Sequence, residues 1–124
     1  MIHIKQLMHA GLIVSDLKRS REFYEGLLGL SPNPNRPDFS FEGVWYDIGA
    51  NQLHLMVVPN PYEDVVRPEH GGRDNHVAFS VEDVVPIREA LDKAGVPYSM
   101  SKSGRAAVFC RDPDGNALEF SAVR

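Results

Sequence analysis

The chain has 124 residues, 43% of them hydrophobic and 24% charged, with a net charge of −4 at neutral pH. That is the size of one ordinary domain with a core of its own, and the mixed composition excludes a disordered chain, a collagen-like repeat and a long coiled coil. No apolar run approaches the ~20 residues of a membrane span, Lys and Arg are not clustered as a nucleic-acid footprint requires, no signal peptide is evident, and the single cysteine, Cys110, points to a reducing cytoplasm.

In chain order, the short apolar run Met8–Val14 reads as a strand. Asp16 then stands as an N-cap before an amphipathic helix, Leu17–Leu28, with Leu17, Phe23, Leu27 and Leu28 on one face. Gly29 is placed for a left-handed C-terminal cap. Strands are expected at Leu30–Ser31, Phe39–Ile48 and Gln52–Val58, with a loop through the Pro32–Asn35 segment and a hairpin turn at Ile48–Asn51. Residues 59–73 have linker composition, rich in Pro, Gly and charge. A strand from His76 follows, then Asp83 and a second helix, Val84–Ala94, with Pro86 in its first turn and Gly95 as its stop. Pro97–Met100, Ala106–Cys110 and Ala117–Ala122 read as strands, the last two joined by a turn with a strong Asp114-Gly115 signal.

This order repeats itself. His9–Glu22 matches His76–Glu89 at an offset of 67, sharing His9/His76, Val14/Val81, Asp16/Asp83, Arg21/Arg88 and Glu22/Glu89. Asn51–Val58 matches Asn116–Val123 at an offset of 65, and there His54 falls opposite Glu119. The chain therefore reads as a single domain, residues 1–124, built from two βαβββ modules, 5–58 and 74–123, with eight strands in an α+β fold.

Strand alternation assigns the faces. His9 shares a face with Gly11 and Ile13, His76 with Ala78 and Ser80, His54 with Gln52 and Met56, and Glu119 with Ala117 and Ser121. The opposite faces are wholly apolar and are expected under the helices. Three histidines and one glutamate, at repeat-equivalent positions on the more polar face, make a candidate metal site: His9, His54, His76 and Glu119. Three imidazoles and a carboxylate suit one divalent ion of Fe, Mn, Ni, Co or Zn, and leave open positions for two vicinal oxygens of a small-molecule substrate. Glu119 is the candidate catalytic base. Arg105, at the entry to the seventh strand, is a candidate for binding a substrate carboxylate. His3 and His70 are expected to lie outside the site.

The segments His9–Leu17, Arg21–Leu30, Asn75–Asp83 and Phe109–Phe120 together resemble the vicinal oxygen chelate superfamily, which includes glyoxalase I, extradiol dioxygenases and fosfomycin- and bleomycin-resistance proteins. The resemblance spans the whole chain. It implies paired βαβββ modules whose sheets curl into a cup around a divalent metal, with the ligands at His9, His54, His76 and Glu119. It implies a glyoxalase-like lyase or isomerase, with an extradiol-type dioxygenase as the alternative and a fosfomycin- or bleomycin-type resistance protein after that. Position 54 is typically Glu or Gln in glyoxalase I, and histidine here is a departure. The resemblance also implies a homodimer, in which His9 and His54 of one subunit meet His76 and Glu119 of the other.

Overall fold

The computed structural model describes residues 1–122, so Val123, the last residue of the second sequence repeat, lies outside the described residues. The fold is α+β with two small mixed sheets. In the first, β1 (His9–Val14) lies parallel to β3 (Asn51–Val57), which pairs antiparallel with β2 (Gly43–Ile48). In the second, β4 (His76–Val81) lies parallel to β7 (Ala117–Ala122), and antiparallel pairing continues the sheet through β6 (Ala107–Arg111) to β5 (Tyr98–Met100). The two parallel pairs share a register, Gly11 opposite His54 in one and Ala78 opposite Glu119 in the other.

Among the described residues seven strands form, not eight. The expected strand at Leu30–Ser31 is reduced to a single bridge between Pro32 and Tyr46. Pro32 and Pro34 carry no N–H, so the ladder cannot propagate through them. The strand expected from Phe39 starts only at Gly43, because Phe39 and Phe41 are drawn into a stack beneath the Arg36 guanidinium, which lies 5.0 and 5.4 Å from their ring centres. The first helix is also altered. Asp16 caps it as expected, accepting from the Arg19 amide at 3.1 Å, but the α-helix α1 covers only Leu17–Arg21 and a π-helical turn continues through Glu22–Leu27. The second helix, α2, runs Val85–Ala94, with Asp83 Oδ1 accepting from the Val85 amide and Gly95 closing it at φ +70°. A single 3₁₀ turn, Gly71–Arg73, lies within the expected linker.

The apolar faces read from alternation are the core. Val14, Leu53, Leu55, Leu118 and Phe120 are buried, with Leu12, Val57, Val77, Phe79 and Val81 packed against them. One core spans both sheets, and polar bonds tie them together. Tyr24 donates from its hydroxyl to Asp112 at 2.7 Å, Ser15 donates to Asp114 from its amide and hydroxyl, and the Asn116 side-chain Nδ2 donates to the Ile13 carbonyl at 3.0 Å. Asp112 in turn closes the β6–β7 turn by accepting from the Asp114 and Asn116 amides. No helix among the described residues is long and apolar enough to cross a membrane.

Candidate metal centre

The four candidate ligands stand on the faces opposite the core, in two pairs. On the first sheet the His9 and His54 rings stack 4.1 Å apart, 17° from parallel. They meet because His9 sits across from Gln52 in the parallel β1–β3 register, one pleat from His54. Trp45, directly opposite His54 on β2, stacks on its other face at 4.1 Å and 5°. The His54 ring is thus clamped between two aromatic planes. Burial, with positive charge from His9 and Arg36, holds its pKa below the usual imidazole range, so it is a neutral ring with a lone pair at neutral pH.

On the second sheet, His76 Nε2 lies 3.1 Å from Glu119 Oε1. The other ring nitrogen, Nδ1, donates to the Asp74 carbonyl at 2.8 Å, since a carbonyl oxygen can only accept. A proton on Nε2 would bridge the two atoms by a hydrogen bond, and imidazole nitrogen and carboxylate oxygen are both donor types that a divalent metal ion accepts. Glu119 is 6% exposed, and its other oxygen accepts from Ser121 Oγ at 2.5 Å. Arg105 approaches that oxygen through Nη2 at 3.5 Å and donates from Nε to Ser103 Oγ at 3.1 Å, with 58% of its side chain exposed.

The segment before His76 is held firmly. Asp74 accepts from Arg67 at 2.7 Å and from Arg111 at 2.9 Å. Burial opposes ionisation of Asp74, yet those two guanidinium contacts prevail and bring its pKa down to about 2. Phe109, across from Glu119 on β6, packs edge-on against both His76 and His70. His70 also bonds Ser99 Oγ through Nδ1 at 2.7 Å, and His3 lies in the exposed N-terminal segment. A cavity of about 430 Å³ opens between β1 and β4, lined in part by Gly11, Ile13, Arg67, Asn75 and His76.

Within one chain the pairs stay apart: among the described residues no three His, Cys, Asp or Glu side chains come together as a metal site would need. The alternation that placed His54 and Glu119 also put Gln52 and Ser121 on their faces, but gave no reason to single them out. Gln52 Oε1 lies 2.8 Å from His54 Nε2, and only that contact shows its relevance.

The glyoxalase/bleomycin resistance protein/dioxygenase superfamily model matches residues 6–120. A lactoylglutathione lyase of Haemophilus influenzae is 30% identical, over 93% of this chain and 90% of its own length. The glutathione transferase FosA of Serratia marcescens is 30% identical over 94% and 80%. Among solved structures, the E126Q variant of the fosfomycin resistance protein FosX from Listeria monocytogenes, complexed with Mn(II) and a dihydroxypropylphosphonic acid, aligns with a TM-score of 0.75 at 20% identity, covering 98% of this chain and 95% of that one. The chain belongs to the glyoxalase/bleomycin resistance protein/dioxygenase superfamily.

Proposed function

We propose that the protein is a divalent-metal-dependent lyase or isomerase of the glyoxalase kind, acting on a small substrate with two vicinal oxygens. The observation that carries this is the pairing itself, His9 with His54 and His76 with Glu119, at matching registers of the two sheets. One pair from each of two subunits of a homodimer would complete the ligand set, and the ion would supply Lewis-acid stabilisation of a developing oxyanion. The candidate ion is Fe, Mn, Ni, Co or Zn, which all suit imidazole and carboxylate donors. Glu119 is the group suited to moving a proton from carbon. Ser121 holds one of its oxygens, and the other, which contacts His76 Nε2 at 3.1 Å, is the one that would take up the proton. Arg105, more than half exposed beside Glu119, would meet a substrate anion. The free, buried Cys110 accords with action in a reducing cytoplasm.

A second reading is the opening of an epoxide phosphonate by a thiol or by water, which would add to one ring carbon as its C–O bond breaks and the released oxygen takes up a proton. It is favoured by the FosA relative and the FosX structure, and by the Arg105 guanidinium beside Glu119. The test is metal-loaded protein assayed on hemithioacetals, epoxide phosphonates and catechols, before and after chelation. Isomerisation of a hemithioacetal that is lost on chelation and in Glu119→Gln supports the first reading. Turnover of the epoxide alone supports the second, and oxygen uptake with a catechol overturns both in favour of a dioxygenase.

A further inference from the structure

His54 is held by more than its two aromatic neighbours. Its Nε2 lies 2.8 Å from Gln52 Oε1, Gln52 Nε2 donates to Asp47 Oδ1 at 3.0 Å, and Asn33 Nδ2 donates to both Asp47 oxygens at 3.0 and 3.1 Å. The direction of this chain is fixed from its far end. Asn33 Oδ1 accepts from the Asn35 amide at 2.7 Å, which turns the Asn33 NH₂ toward Asp47. Hydrogen bonds from Gln52 and Asn33 hold Asp47 below the usual carboxylate range, so it is ionised and can only accept. The Gln52 NH₂ must then face Asp47, and its oxygen must face His54. An amide oxygen accepts, so His54 carries its proton on Nε2.

We infer that Gln52 is a positioning residue: anchored through Asp47 to Asn33, it fixes His54 as the Nε2–H tautomer and leaves Nδ1 as the lone pair available to a metal ion. His54 stands where the repeat has Glu119, so an imidazole there needs its own orienting partner, and Gln52 supplies one that its counterpart Ala117 cannot. Orienting partners of this sort commonly change metal affinity 10–100-fold when removed.

The tautomer claim rests on the hydrogen-bond chain alone, while the affinity claim rests on the proposed metal site, and the experiment separates them. Long-range ¹H–¹⁵N correlation spectra of the metal-free protein above pH 8 report which nitrogen of each histidine carries the proton. The expected result is Nε2–H for His54. Gln52→Leu should leave His54 in mixed tautomers, with the thermal midpoint little changed. The double variant Gln52→Glu with Asp47→Asn exchanges carboxylate and amide along the chain, and should restore the Nε2–H form. Zn(II) titration should show affinity roughly 10–100-fold weaker in Gln52→Leu and recovered in the double variant. Nδ1–H at His54 in the wild type, or a tautomer and Zn(II) affinity indifferent to Gln52→Leu, overturns the assignment. The expected tautomer in a protein that binds no Zn(II) would uphold the positioning chain and overturn the metal reading.

Discussion

Among the described residues, Asp112 is the carboxylate that accepts the most hydrogen bonds. It is 5% exposed and accepts four hydrogen bonds, from Tyr24, from the amides of Asp114 and Asn116, and from the Asn116 side chain. Burial raises its pKa, and the bonds from Asn116 and Tyr24 only partly offset that. Burial beside the carboxylate likewise pushes the Tyr24 phenol well above its ordinary value, so it stays a donor at any accessible pH. Tyr24 belongs to the first helical segment and Asp112 to the β6–β7 turn, so this one bond joins the two halves of the chain. Tyr24→Phe keeps the ring and removes only the donor. The expected cost is about 1–3 kcal/mol, because a buried carboxylate loses a partner that water cannot replace. Urea unfolding of the two proteins checks it: an unchanged midpoint would mean that Asp112 is satisfied without Tyr24.

At the scale of elements, β3 and β4 were legible because their burial alternates with period two, and β7, buried on both faces, still alternates apolar with smaller or polar side chains. That alternation placed His9, His54, His76 and Glu119 on the faces away from the apolar core. The π turn at Glu22–Leu27 was not legible, since its apolar spacing differs from that of an α-helix by one residue in a single turn. The lost strand at Leu30–Ser31 was legible in principle, through the missing N–H groups of Pro32 and Pro34. The Trp45–His54 stack depends on cross-strand register, which no local pattern records, whereas the Gln52–His54 contact joins two residues on one face of β3 and depends on side-chain rotamers that alternation does not specify. Gly43 marks how tightly that register is set. A Cβ there would fall onto the Leu55 carbonyl oxygen and within 2.9 Å of Arg36 Nη2. Gly43→Ala should push β2 away from β3 at a cost of about 1–3 kcal/mol. The stack beside it should loosen as well. Trp45 is the one tryptophan in the chain, so its fluorescence spectrum reports this directly. An unshifted spectrum with undiminished stability would show that the strand end accommodates the methyl group.

For the whole molecule, the question is how two half-sites become one. A hinge within the chain is opposed by what joins its halves: the common core, the Tyr24–Asp112 bond, the Ser15 bonds to Asp114 and the Asn116 bond to the Ile13 carbonyl. The second half is also tied to the connecting segment, through Arg111 bonding both Asp74 and the Pro68 carbonyl. Closing the pairs on each other would require breaking these contacts, whereas a second copy requires none of them to break. β1 and β4 both end their sheets with an unpaired edge, which invites pairing with another chain. Ile2, Ile4, Leu7 and Met8, just before β1, expose their apolar side chains as well. A two-fold dimer would complete two sites at once, each with His9 and His54 from one subunit and His76 and Glu119 from the other. The expected outcome is complementation. A His9→Ala/His54→Ala chain and a His76→Ala/Glu119→Ala chain should each bind no metal alone. Mixed in equal amounts and allowed to exchange, half the dimers become heterodimers, and each has one intact site of two. Metal content should recover to about a quarter of the wild-type value. Heterodimers that form, as shown by mass spectrometry, but recover no metal would mean that each site is built within a single chain.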